Sequence, residues 1–230
     1  MINSVIRQAE VTGMIDLHMH TLFSDGVLVP AELVRRAMVK GYEAMAITDH
    51  VDSSNIDFVI PRIVKVAEEL SGLWPITIIP GVELTHVHPD TIAALTKEAR
   101  ALGAKIVVMH GETPVEPVPP GTNKAAIAAG VDILAHPGFL TKQEAAAAAK
   151  KGVYIEITAR KGHSLTNGHV AKTALAAGAK LVLNTDSHEP HDLITDEFAE
   201  RVLTGSGLDK KAVADALRNS REIVNNILGG

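Results

Sequence analysis

Short, nearly continuous apolar runs alternate along this chain with longer amphipathic stretches. The runs are Met14–Leu17, Ala44–Thr48, Ile76–Ile79, Lys105–Met109, Val131–Ala135, Val153–Ile157 and Lys180–Asn184. Val, Ile and Leu dominate them without the alternation of a half-solvated strand, so they read as strands buried on both faces. The stretches between carry helical spacing. Pro30–Lys40 opens on a proline and closes at Gly41, and Asp57–Ser71 sets Ile63, Val66, Ala67 and Leu70 on one face before Gly72. Thr91–Leu102 ends at Gly103, Thr141–Lys151 starts on a Thr N-cap and stops at Gly152, and Val170–Ala177 stops at Gly178; Lys210–Leu228 comes last. Proline near a helix start and glycine just past its end are the ordinary punctuation of helices.

Alternating β and α elements imply a parallel sheet with right-handed crossovers. An open doubly wound sheet and a closed barrel both satisfy that order. The polar residues that follow the apolar runs decide between them. They are Asp16-Leu-His18-Met-His20 with Ser24-Asp25-Gly26, then Thr48-Asp49-His50, Gly81-Val-Glu83, His110-Gly111, His136-Pro137 and Asp186-Ser-His188. An open sheet would spread these ends along a wide edge, whereas a barrel gathers them around one mouth. The expectation is an α/β fold, a TIM-like barrel of seven strands with its site at their C-terminal ends.

Residues 1–230 read as a single domain: a leader over 1–13, a motif-bearing barrel over 14–190 and C-terminal helices over 191–230. Pro114–Pro120 reads as a stiff surface connection, or alternatively as a rim loop shaping access to the site. The formal charge of −5 and an aromatic content of 3% offer little to a nucleic-acid backbone or to stacked bases, which makes nucleic acid an unlikely partner. There is no cysteine, hence no disulfide, thiolate nucleophile or sulfur ligand. No signal-peptide h-region and no bilayer-length apolar stretch is evident, so a cytoplasmic protein with no membrane partner is expected. No exposed apolar stripe announces an oligomer.

His18 and His20 flank one residue, so on an extended strand end both imidazoles can face one ion. Together with Asp25, His50, Glu83, His110, His136, Asp186 and His188 they supply too many nitrogen and oxygen ligands for a single tetrahedral ion. A carboxylate such as Glu83 can bridge two ions, which points to a two- or three-metal cluster. His86 and His88 follow Glu83 and have the reach to enter the mouth; His169 reads as a helix-start residue. Arg160, with Lys161 and His163 beside it, follows the one strand end that lacks a ligand and is placed to hold a phosphate. His191 or His163 would protonate the leaving oxygen.

The string Asp16-Leu-His-Met-His-Thr with Ser24-Asp-Gly, then Ile47-Thr-Asp-His50, Gly81-Val-Glu83, His110, His136-Pro and Asp186-Ser-His188, resembles the PHP family, the polymerase and histidinol phosphatase domain. The likeness runs from about residue 14 to 190. It implies a distorted (β/α)7 barrel holding two or three Zn, Mn or Fe ions. By the resemblance, His18, His20, Glu83 and Asp186 hold one ion, and Glu83 bridges to a second on His110 and His136. Asp25, His50 and His188 hold a third, with aspartate at a position where some members have histidine.

The expected activity is hydrolysis of a small phosphomonoester, histidinol phosphate being the family's namesake, by a metal-activated hydroxide, with Asp186 and His188 beside the reacting phosphorus. Phosphodiester cleavage by an exonuclease-like enzyme, amidohydrolysis and a metal-stabilised binding module without catalysis are the alternatives.

Overall fold

A computed structural model describes residues 13–229; the expected leader lies almost entirely outside them. The chain order is β1 (Met14–Asp16), α1 (Pro30–Val39), β2 (Tyr42–Ile47), β3 (His50–Val51), α2 (Ile56–Ser71), β4 (Thr77–Leu84), α3 (Ile92–Ala101), β5 (Ile106–His110) and α4 (Thr122–Ala129). It continues with β6 (Ile133–Ala135), α5 (Lys142–Lys151), β7 (Tyr154–Thr158), α6 (Asn167–Ala177), β8 (Leu181–Asn184), α7 (Asp196–Gly205) and α8 (Lys210–Gly229). Every strand pair is parallel, in the order β1-β2-β4-β5-β6-β7-β8.

The two-residue β3 prolongs the stave that β2 begins and pairs with β4, so the barrel has seven staves, as expected. It is nearly closed. Between β8 and β1 the ladder is replaced by side chains and one bridge: Leu17 N–H donates to Asn184 Oδ1 at 2.9 Å, and Met19 pairs with Ser187.

The barrel interior is a small apolar cluster of its own. Ile15, Leu17, Ala44, Ala46, Ile79, Ile106, Val108, Ile133, Ala135 and Val182 fill it, and Ile223 and Val224 of α8 plug its N-terminal end. A larger cluster between strands and helices holds the outward residues, such as Met45, Ile47, Val82, Val107 and Leu134. The expected helix starts hold where a cap is present. Thr141 and Glu144 form a reciprocal capping box at α5. The sequence reading left α4 out, because an eight-residue, alanine-rich segment with little amphipathic contrast carries a weak periodic signal. Among the described residues no helix is long and apolar enough to cross a membrane.

Candidate metal centre

Two devices aim the polar strand ends. On several staves the inward parity simply continues past the apolar layer: Ala46, Thr48 and His50; Ile79, Gly81 and Glu83; Ile106, Val108 and His110. Gly81 is required in that series, since a Cβ there would collide with Ile106 and the backbone of its strand. The register sets His50 beside Glu83. Elsewhere the backbone bends. His136 and Asp186 have φ of 26° and 52°, a region uncommon for residues with a Cβ, so their side chains are re-aimed at the moment each strand ends. His18 and His20 likewise follow the point where β1 leaves its ladder.

The result is a cluster around two buried carboxylates. Glu83 Oε1 lies 3.3 Å from His18 Nε2 and 3.8 Å from His136 Nε2, while Oε2 lies 3.6 Å from His20 Nε2 and 2.7 Å from His50 Nδ1. Asp186 Oδ1 faces His20 Nε2 at 3.2 Å and His188 Nδ1 at 3.4 Å; its Oδ2 faces His136 Nε2 at 3.6 Å. Asp25 Oδ1 closes the outer side, 3.3 Å from His50 Nε2 and 3.1 Å from His188 Nε2. All nine sequence-expected ligands therefore meet in one mouth, and His20, Asp25, His50 and His188 form one of several groups with ligand atoms close enough to share an ion.

The donor set fits divalent metal. His18 Nε2, both ring nitrogens of His20 and His136, Glu83 Oε1 and Asp186 Oδ1 are buried without a hydrogen-bond partner. Leaving such groups unpaired costs about 1–3 kcal/mol each, and a cation among them would satisfy several at once. The tautomers agree. His18 Nδ1–H donates to Glu156 Oε2 at 2.8 Å, His110 Nδ1–H to Gly111 O at 3.2 Å and His188 Nδ1–H to Asp186 O at 2.9 Å. Each bond fixes the proton on Nδ1 and turns the Nε2 lone pair toward the mouth.

Charge within the cluster is divided by the same contacts. Burial lowers His20 and His136 well below the usual histidine range and so keeps them neutral. Burial also works against charge on His18 and Glu83, yet they hold each other ionised: Glu83, Glu156 and Asp186 raise His18, while His18 and His50 lower Glu83. Burial pushes Asp186 up to about 7 against the pull of His18.

Several supporting residues escaped the sequence reading. Glu156 is fully buried in β7 and also accepts from Asn184 Nδ2 at 2.9 Å, while Asn184 is oriented by the Leu17 N–H. A glutamate inside the run Val-Tyr-Ile-Glu-Ile was the available signal, because a lone buried carboxylate needs partners. Asp49, part of the Thr-Asp-His motif, accepts from the N–H and hydroxyl of both Thr21 and Ser24 and so shapes the turn that presents Asp25. Asp16 accepts from the Thr185 hydroxyl at 2.5 Å and ties β1 to the segment after β8.

The expected phosphate-handling residues divide. Arg160 lines the mouth, a cavity of about 230 Å³, with Nη1 donating to Asp192 Oδ2 at 2.8 Å. His163 lines it too, but it stacks on His136 and joins His110 and His136 as a possible ligand group. Burial lowers it to about 4, so near pH 7 it is neutral, which suits a ligand better than a proton donor. Lys161 and His191 are exposed and do not line the cavity. The loop bearing Lys161 turns outward and His191 lies beyond the turn after His188, so neither proton transfer by His191 nor phosphate binding by Lys161 finds support in the geometry. His86 reaches the mouth, His88 points to Asp90 at the surface, and His169 Nε2 meets Leu140 O in the first turn of α6. The Pro-rich segment is a rim loop: its Glu116 lines the cavity, pulled down to about 2 chiefly by His110.

Fold and site together define a class, the parallel α/β barrels whose ionisable side chains gather at the C-terminal rim. The chain belongs to the PHP family, whose domain model matches residues 16–110. An uncharacterised protein of Methanocaldococcus jannaschii is 52% identical over 204 residues, spanning 88% of this chain and 94% of its own. A "Probable phosphatase" of Shewanella frigidimarina is 31% identical over 224 residues, 84% of this chain and 85% of its own. Histidinol phosphate phosphatase of Lactococcus lactis, solved with zinc, L-histidinol and phosphate, shares the fold at a TM-score of 0.58, over 85% of this chain and 94% of that one, with 17% identity.

Proposed function

We propose that the chain hydrolyses small phosphomonoesters at this centre with the help of two or three divalent ions, Zn, Mn or Fe. The observation that carries the reading is Glu83, a fully buried carboxylate within 2.7–3.8 Å of four imidazoles from three different segments. His18, His20, Glu83 and Asp186 would hold one ion, His110 and His136 a second bridged by Glu83, and Asp25, His50 and His188 a third. Such ions supply Lewis acidity toward phosphoryl oxygens and make water acidic enough to act as a nucleophile near neutral pH.

The chain's own residues do the rest. Arg160, anchored on Asp192 and on Asp186 O, presents its remaining guanidinium donors to a phosphate entering the mouth. Asp186 and His188 stand beside the phosphorus. The cavity of about 230 Å³ suits a phosphoryl group with a small substituent. The family membership and the phosphatase name of the Shewanella relative support the same class.

The test is phosphate release by protein loaded separately with Mn, Zn or Fe on histidinol phosphate, a nucleoside monophosphate and an aryl diester. Metal-dependent release from a monoester, lost in His18→Ala, is the expected result. Cleavage of the diester alone would replace this reading with a nucleotide phosphodiesterase. Silence on all three with ions bound would sink it.

A further inference from the structure

The rim loop that carries Glu116 brings into the mouth a group outside the family motifs. Glu116 Oε2 lies 2.9 Å from His86 Nε2 and 3.0 Å from His110 Nε2, and its Oε1 lies 3.4 Å from His163 Nε2. We propose that Glu116 and His86 are ligands of the divalent ion on His110, so that this position is completed by the rim loop and by the segment beyond β4. The inference rests on the metal-dependent reading above.

Three observations converge on it. His86, His110 and Glu116 each offer one ligand atom, close enough together to share an ion. Ligands about 2.0–2.2 Å from zinc stand roughly 3.3–3.6 Å apart in a tetrahedron, so an outward shift of about half an ångström accommodates an ion. His110 has one nitrogen to give, because its Nδ1–H is committed to Gly111 O; among the described ion pairs the carboxylate facing its Nε2 is that of Glu116.

The loop is also built to hold Glu116 still. Glu112 Oε1 accepts from the N–H groups of Gly121 and Asn123 at 3.0 and 2.9 Å, and the Glu112 N–H donates to Asn123 Oδ1 at 3.0 Å, which clamps both ends of the proline segment. Thr113 Oγ1 meets His163 Nδ1 at 2.7 Å, tying the loop to a second imidazole of the mouth. On the other side His86 adopts φ 52°, a left-handed conformation that a residue with a Cβ holds only where its surroundings demand it. A preplaced carboxylate and a strained imidazole facing one free nitrogen are what a ligand set requires; a solvated ion pair requires neither.

Crystals of the Mn-loaded full chain, measured on both sides of the Mn absorption edge, decide the matter. The expected map has an anomalous peak bonded jointly to His110 Nε2, His86 Nε2 and the Glu116 carboxylate. Metal content by plasma mass spectrometry should fall by one ion per chain in His86→Ala/Glu116→Gln, with the ion on His18, His20, Glu83 and Asp186 retained. A peak on His110 with His86 and Glu116 turned away, or a variant that keeps its full metal content, overturns the proposal. Ions confined to Glu83 and Asp186 overturn this inference alone, whereas no ion anywhere in the mouth overturns the proposed function with it. Should the variant fail to fold, the wild-type map decides by itself.

Discussion

The two ends of the barrel are built from the same seven staves and have opposite chemistry. At the N-terminal end the inward positions are Ile15, Ala44, Ile79, Ile106, Ile133 and Val182, closed by Ile223 and Val224 of α8. One to three inward steps further along, the staves carry His50, Glu83, His110, Glu156 and Asp186, and the interior becomes a set of buried, partly orphaned polar atoms. The apolar end needs nothing but its own packing. The polar end leaves buried ring nitrogens and carboxylate oxygens without hydrogen-bond partners, and its cost is carried by the rigid floor beneath it. A barrel can hold so many buried ionisable groups because the closed ladder and the plug fix the staves regardless of what the rim contains.

That division can be broken most severely at the rim. Glu83→Gln removes a charge shared by four imidazoles and is expected to lower metal-dependent turnover on the order of 10²–10³-fold, as loss of a central transition-state stabiliser does. Its far-UV circular dichroism should stay that of the wild type, and a collapse of the fold would contradict the separation of floor from rim. At the floor the pattern reverses. Ile223→Ala should cost about 2–5 kcal/mol in urea denaturation by opening a cavity under the barrel, while turnover per folded molecule is retained.

Metal removal tests the claim that the rim is incomplete alone. At a free ion concentration 100 times Kd, binding adds about 2.7 kcal/mol, so a chelator should lower Tm by roughly 5–10 °C for a chain of this size. An unchanged Tm would mean the orphaned atoms do not bind an ion. Glu156→Leu probes the seam between floor and rim. Glu156 Oε2 is the acceptor for both His18 Nδ1–H and Asn184 Nδ2, so the substitution leaves His18 without its fixed tautomer. A 10–100-fold loss in metal affinity by calorimetric titration is expected.

The smallest effect concerns pH. Burial lowers His163 to about 4 from 6.5, so it binds protons more readily unfolded than folded. Its contribution is present above pH 6.5 and lost as pH falls toward 4. In metal-free protein, His163→Asn should flatten the fall of Tm over that window, since His18 and His50, raised by their carboxylates, shift the other way in both proteins. Parallel Tm curves would show that His163 takes up protons alike in the folded and the unfolded chain.

Much of this was legible in the chain because the two signals are local. Apolar runs of Val, Ile and Leu ending in His, Asp or Glu name both the stave and its rim residue, as at Ile106–His110 and Ile79–Glu83. The expected (β/α)7 barrel and the gathering of the nine ligands follow from repeating that pattern. What the chain left open depends on loops. Lys161 and His191 sit near the motifs in sequence and outside the mouth in space, while Glu116 lies in a proline segment whose composition speaks of a surface connection.

The sequence by itself determined the strand order, the nine candidate ligands that gather at the rim and the end of the barrel at which they lie, because periodicity and residue chemistry are properties of short segments. Only the tertiary structure decided which carboxylate faces which imidazole, and that Glu156, Asn184 and Glu116 serve the site at all. Those facts depend on backbone bends at His86, His136 and Asp186, and on contacts between residues far apart in the chain, such as Leu17 with Asn184 and His18 with Glu156. No local pattern encodes them, since the left-handed turns and the buried hydrogen bonds exist only once the staves have closed around them.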